Sequence, residues 1–162
     1  MNYTWRPANG NDVNIITNMA VNHFQREIEQ IFVPDPIAYS RNITIAIVNQ
    51  FYNPLGELVS VCTDTNNNIV AYIWAKTNER ATWSDEEMLV IKIAHVDMTL
   101  SPRIRIKLIN DMITIWENFA TLAKVSIICS STMRTETDTF LKLHKRHGYN
   151  VRGSYAYKKL SA

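Results

Sequence analysis

At 162 residues, with 46% hydrophobic and 20% charged side chains, the chain is long enough to bury a core and is expected to form one domain, 1–162. Its 17 Lys and Arg against 15 Asp and Glu leave a net charge of +2, too small to point to a nucleic-acid partner. No apolar run nears the roughly 20 residues of a membrane helix, and Met1–Arg6 lacks a basic region followed by an apolar one, so neither a membrane partner nor a signal peptide is expected and a cytoplasmic setting is.

Tyr3 to Arg6 reads as a first strand, closed by Pro7 and a turn through Asn9, Gly10 and Asn11. Asp12 is the expected cap of a helix whose apolar positions Val13, Ile16, Met19 or Ala20, and Phe24 recur every three or four residues. Pro34 and Pro36 break it. A second helix is expected from Pro36 to Phe51, with Ile43, Ile47 and Phe51 on one side, although the alternation from Ile43 to Ile47 also suits a strand. Leu58–Thr63 and Ile69–Ala75 form a hairpin around Asp64–Asn68, whose successive asparagines tolerate left-handed turn geometry. Asn78 to Glu87 is polar and turn-like.

Met88 to Leu100 is then a strand of thirteen residues, long enough to suggest a bulge. Ser101 is a good helix cap and Pro102 suits the first helical position. Arg105, Ile109, Met112, Trp116, Phe119 or Ala120, and Ala123 define one face of the helix that follows, to Lys124. Val125–Ser130 is a strand, and Thr137 or Asp138 caps a last helix that Gly148 stops. Val151 to Leu160 alternates as a final strand. The sum is an α/β domain of α+β three-layer type, with a central mixed, mostly antiparallel sheet flanked by helices. Trp74, Trp83 and Trp116 are expected in or at the edge of its core. Cys62 and Cys129 lie in apolar, strand-like runs, which suits buried free thiols better than a disulfide and lacks the spacing of a metal site. The Cys and His residues show no nucleophile–base arrangement by spacing.

Three stretches resemble the GNAT superfamily of N-acetyltransferases, and together the likeness covers essentially the whole chain. Trp5-Arg6-Pro7-Ala8 with the capped helix is similar to the family's R-x-A opening, and Val96-Asp97-Met98-Thr99-Leu100-Ser101-Pro102 to its L-x-V-x-P strand end. Phe140-Leu141-Lys142-Leu143-His144-Lys145-Arg146-His147-Gly148-Tyr149 is the most specific, matching the L-Y-x-K-x-G-F helix end. The resemblance implies an acyl-CoA N-acyltransferase fold whose central strand splays from its neighbour to admit acetyl-CoA, the expected cosubstrate. It also implies transfer of the acetyl group to a primary amine.

On that likeness, Met98, Thr99 and Leu100 would supply backbone contacts, and Arg103, Arg105 and Lys107 the charge for phosphate. The family's pyrophosphate loop, R/Q-x-x-G-x-G/A, aligns with Arg105–Asn110, so Leu108 and Asn110 stand where glycines let the backbone approach the phosphates. His144 occupies the position of the proton donor, which is often a tyrosine. His95 and Asp97 are candidate bases, sharing with Thr99 one face of a period-two strand. The basic end, Lys142, Lys145, Arg146, Arg152, Lys158 and Lys159, is either a solvated surface or a contact for the 3′-phosphate or an acidic partner. The missing glycines leave a rival open: a protein of this fold that has lost catalysis and serves in structure or binding, for example as a phage virion or host-interaction component. A nucleic-acid-associated factor is disfavoured by the small charge.

Overall fold

Arg6 and Asp12 decide how the chain starts. The guanidinium holds both carboxylate oxygens, at 2.7 and 2.8 Å, and Asp12 Oδ2 also accepts the Asn9 amide at 2.8 Å. Asn9 returns the favour by accepting from Asn11, so Asn9 rather than Asp12 caps the first turn, a single 3-10 turn over Gly10–Asp12. The ion pair holds the Asp12 carboxyl below the usual carboxylate range against the opposing effect of its burial.

The computed structural model describes residues 2–27, 31–132, 138–153, 156 and 158–160. Along these run β1 (Thr4–Pro7), α1 (Val13–Glu27), α2 (Pro36–Tyr52), β2 (Glu57–Thr63), β3 (Ile69–Arg80), β4 (Glu87–Val96), α3 (Pro102–Leu122), β5 (Ile127–Ser130) and α4 (Asp138–Arg146). The sheet has the order β1-β2-β3-β4-β5. Every neighbouring pair is antiparallel except β4 and β5, which run parallel because α3 crosses between them. The element order is the expected one as far as α4. The expected strand Val151–Leu160 passes through residues 154, 155 and 157, which lie outside the described residues, and its described residues form no strand. The side chains of Phe24 and Asp138, and the proposed cap Thr137, also lie outside what is described.

Helices cover both faces. Leu108, Met112, Ile113, Trp116 and Ala120 of α3, with Leu143 of α4, pack on Ala71, Ile73, Ala75, Leu89, Ile91 and Val96. On the other face Ile16 of α1 and Ile43 and Ala46 of α2 pack on Val59, Val61 and Tyr72. Burial of these side chains is worth about 1.5–3 kcal/mol each for the larger ones. The face of α2 is therefore set by Ile43 and Ala46, and Phe51, expected to share it, points into solvent. Trp116 is fully buried, whereas Trp83 is 90% exposed in the β3–β4 connection rather than at the edge of the core.

Local chemistry explains the boundaries that moved. The Asp64 carboxylate accepts the amides of Asn66 and Asn68, and Asn67 takes φ +62°, which closes the β2–β3 turn. The strand β3 extends to Arg80, past the expected polar turn, because Asn78 adopts φ +61° within a register shift and lets pairing resume at Glu79. Lys124 takes φ +58° and ends α3, and Gly148 takes φ +83° after α4.

Candidate functional site

Pairing along β4 changes halfway. Met88, Leu89, Val90 and Ile91 stand opposite Ile127, Ile128, Cys129 and Ser130 of β5. From Lys92 to Val96, β4 keeps its partner β3 but has no strand on the other side among the described residues. The break coincides with a bulge. Trp74 opposes Ile93 and Ala75 opposes Ile91, so Lys92 is an extra residue in β4, exposed and ion-paired with Glu79 at 2.9 Å. The long strand had suggested a bulge; its position is now fixed.

The unpaired half presents backbone donors to the gap. Asp97 donates its amide to Val70 of β3 at 2.8 Å. Amides alternate sides along a strand, so His95 also faces β3, and Ala94 and Val96 turn their N–H groups toward the open edge. These two donors were not read from the sequence. Meanwhile β4 ends at Val96 rather than Leu100, because Asp97 Oδ1 accepts both the amide and the hydroxyl of Thr99 at 2.8 Å. Leu100 N–H returns to Asp97 O at 3.2 Å. Asp97 and Thr99 thus form a turn and do not share a strand face with His95. Among the expected backbone contacts, the amides of Thr99 and Leu100 are occupied within this turn, and Met98 is exposed there.

The turn leads directly into α3, which starts at Pro102 on the cap Ser101 without a side-chain cap bond. Arg105 N–H is the first to be satisfied within the helix, by Ser101 O at 3.0 Å. The segment Arg105–Asn110 is therefore helix, not a phosphate loop. Leu108 lies two turns in, fully buried in the core, and Asn110 is engaged by its Nδ2 with Ile106 O at 3.0 Å and by its Oδ1 with His147 Nε2 at 3.1 Å. Neither residue stands at the helix N-terminus. Of the three basic residues, Lys107 is paired with Asp111 at 2.8 Å, one helical turn on, which raises its pKa. Arg105 rests a guanidinium nitrogen on Met98 Sδ at 3.5 Å, and Arg103 is exposed. Lys142, Lys145, Arg146, Arg152, Lys158 and Lys159 are all exposed.

Two buried histidines flank the gap from opposite faces. His95 lies on the α1–α2 face, its ring 5.4 Å from that of Tyr72, whose hydroxyl is 2.9 Å from that of Tyr39. Burial pushes the pKa of both tyrosines well up, so the pair stays neutral. His144 lies on the α3–α4 face among Trp116, Phe140 and Tyr149. Its Nδ1 donates to Phe140 O at 2.9 Å, which leaves Nε2 to accept the Ser130 hydroxyl at 3.0 Å. Burial lowers its pKa below the ordinary 6.5, with His147 acting in the same direction and Glu117 against it. His144 is thus bonded at both ring nitrogens, in surroundings that favour its neutral form. Ser130 had no signal in the sequence, because its partner is fourteen residues away and only the fold joins them.

Elsewhere, an open apolar groove of about 740 Å³ runs between the end of β1 and the last turns of α2, lined by Val13, Ile47, Val48, Phe51, Tyr52 and Leu58 among others. Cys62 and Cys129 are free thiols, Cys62 buried with its pKa pushed up to about 11 and Cys129 half-buried. Among the described residues no three His, Cys, Asp or Glu side chains are grouped to hold a metal, and no helix is long and apolar enough to cross a membrane.

No protein-family model matches the sequence, and no curated protein does. Solved structures do match. A protein of Clostridium acetobutylicum described as a predicted acetyltransferase and solved with acetyl-CoA is 14% identical, with a TM-score of 0.70 over 98% of this chain and 96% of its own. An aminoglycoside antibiotic 6′-N-acetyltransferase from Acinetobacter baumannii is 10% identical, with a TM-score of 0.67 over 99% of both chains. The glucosamine-6-phosphate N-acetyltransferase of Arabidopsis thaliana is 11% identical, with a TM-score of 0.65 over 99% of this chain and 100% of its own. The fold is that of the GNAT N-acetyltransferases, as the three sequence stretches implied.

Proposed function

We propose that this chain binds acetyl-CoA in the gap beside the second half of β4 and transfers the acetyl group to a primary amine. The observation that carries the reading is that β4 loses its β5-side partner after Ile91 while the strand continues toward the N-terminus of α3. A thioester carbonyl in that gap would meet one of the outward amides of Ala94 and Val96, which stand about 7 Å apart along the strand, a fixed donor suited to a developing oxyanion. The diphosphate would then reach the N-terminus of α3, where Arg103 and Arg105 stand in a first turn that holds no acidic residue. Positive charge at that end of a helix is unfavourable in isolation and becomes favourable beside an anion.

The amine approaches from the α1–α2 face, and His95 removes its proton, directly or through water. Asp97 suits that task less well, since its carboxylate caps the Thr99 turn. His144, where the resemblance puts the proton donor, holds its proton on Nδ1 against Phe140 O and accepts at Nε2, so the departing thiolate takes its proton from water. That several similar structures are of acetyltransferases, one solved with acetyl-CoA, supports the reading.

Thermal melting tests it. A ligand at a hundredfold excess over its Kd stabilises the native state by about 2.7 kcal/mol, and each kcal/mol moves Tm by roughly 2–4 °C in a chain of this size. Acetyl-CoA is expected to raise Tm by several degrees; no change at about millimolar concentration would remove the reading. A second reading, a fold retained for structure or binding, draws on Phe51 and Tyr52, 81% and 80% exposed at the rim of the apolar groove. It is the one left if acetyl-CoA does not bind.

A further inference from the structure

The outer side of α2 has the composition of an inner one. Between Pro36 and Tyr52 the only charged side chain is Arg41. Ile43 and Ala46 pack on the sheet, yet apolar residues continue round to the solvent side, where Ile37 is 81%, Phe51 81% and Tyr52 80% exposed. A surface helix ordinarily carries its charges on that side. Ile45, Val48 and Leu55, each about half exposed, belong to the same surface, and the open apolar groove lies against it.

The spacing is that of a helix seam. Ile37, Arg41, Thr44, Val48 and Phe51 follow one another by four, three, four and three residues, the alternation of the two inward positions of a coiled coil. All five are exposed. When the seam is laid antiparallel on a second copy of itself, with the two-fold axis level with Ala46, each kind of position faces the other. Arg41 meets the partner's Phe51, and Thr44 meets the partner's Val48. The lone cation of each helix then lies over an aromatic ring, a pairing that favours arginine. The two Arg41 side chains stand ten residues apart along the pair, about 15 Å, which exceeds the Debye length of roughly 8 Å at physiological salt. No like charges are set together. The partner's Ile37 comes level with Leu55, over the groove that Phe51, Pro54 and Leu58 line. The six exposed apolar side chains offer on the order of 500 Å². With the groove walls added, this approaches the roughly 800 Å² per partner that a stable interface buries.

We propose that the outer face of α2 is the interface of a homodimer, in which two α2 helices pack antiparallel about a two-fold axis level with Ala46. The dimer is independent of the acetyl-CoA site and accounts for the exposed Phe51 and Tyr52 whether or not the chain is an enzyme.

The test is sedimentation equilibrium of the full chain across the micromolar range, without acetyl-CoA. Expected is a monomer–dimer equilibrium that is mostly dimer at the upper end. Val48→Lys sets two ammonium groups about 6 Å apart along the pair and should weaken the dimer by at least about a hundredfold, with the far-ultraviolet circular dichroism unchanged. Trp83→Glu, as exposed but on the β3–β4 connection, should leave the dimer intact. Disulfide formation reads the register. Arg41→Cys and Phe51→Cys together in one chain should give a covalent dimer that peptide mass spectrometry shows joined from position 41 to position 51. Within one helix those positions are about 15 Å apart, too far to be bridged. A monomer at every concentration, a dimer that Val48→Lys leaves intact, equal dissociation by Trp83→Glu, or a link from 41 to 41 would each overturn the proposal. So would a monomeric wild type that takes up anilinonaphthalene sulfonate where Val48→Lys does not, which would give the groove to a small apolar ligand.

Discussion

The two halves of β4 share one strand and one neighbour, β3, yet do different things. From Met88 to Ile91 the strand is held on both edges, and Leu89 and Ile91 are sealed under α3. From Lys92 to Val96, among the described residues, it is held on one edge, and its outward amides face a gap. A central strand with both edges paired can only stabilise. One whose pairing stops midway acquires a row of fixed donors that cost nothing to orient when a substrate arrives.

The contrast can be broken from either half. Leu89→Ala, in the paired half, leaves a cavity under α3 and is expected to cost about 2–5 kcal/mol by denaturant unfolding, with acetyl-CoA binding retained by the chains that remain folded. Loss of binding without loss of stability would erase the division. Val96→Pro, in the open half, removes an outward donor without touching a ladder bond, a position where proline is tolerated. It should leave the fold in place and slow thiol release from acetyl-CoA by about 100-fold; an unchanged rate would show that this amide does not meet the carbonyl.

The smallest effect concerns pH. His144 has a folded pKa below its ordinary 6.5, so above pH 6.5 it is neutral folded or unfolded and the stability is fully present. As pH falls below 6.5 the unfolded chain takes up the proton first, and stability declines toward the lower folded value. Between about pH 8 and pH 5.5 the wild type should therefore lose more Tm than His144→Gln. Equal losses would mean that this imidazole is not held neutral by its surroundings.

What could be read from the sequence was local. The Asp64–Asn68 turn, the Pro102 start of α3, the Gly148 stop and the order of elements through α4 all depend on neighbours within a few residues. The errors came where a side chain bonded across a short turn or across the fold. Asp97 looked like a strand residue because nothing in the run Val96–Leu100 announces that its carboxylate will take the Thr99 amide. Aligning Arg105 with the family's phosphate loop put Leu108 at a phosphate-facing position, whereas it is a core residue of α3. Ser130 could not be found at all, since its meaning lies in a histidine on a different element.

Lys92 gives the site its two-sidedness. A strand counts residues in twos, and one unopposed residue changes the parity of everything after it. Ile91 faces α3 and so does Ala94, which puts His95 on the α1–α2 side. Were Lys92 paired as an ordinary rung instead of left unopposed, His95 would fall on the same side as Ser130 and His144. A single exposed lysine, its side chain paired with Glu79, thereby sets, by standing unopposed, which face of the sheet His95 takes.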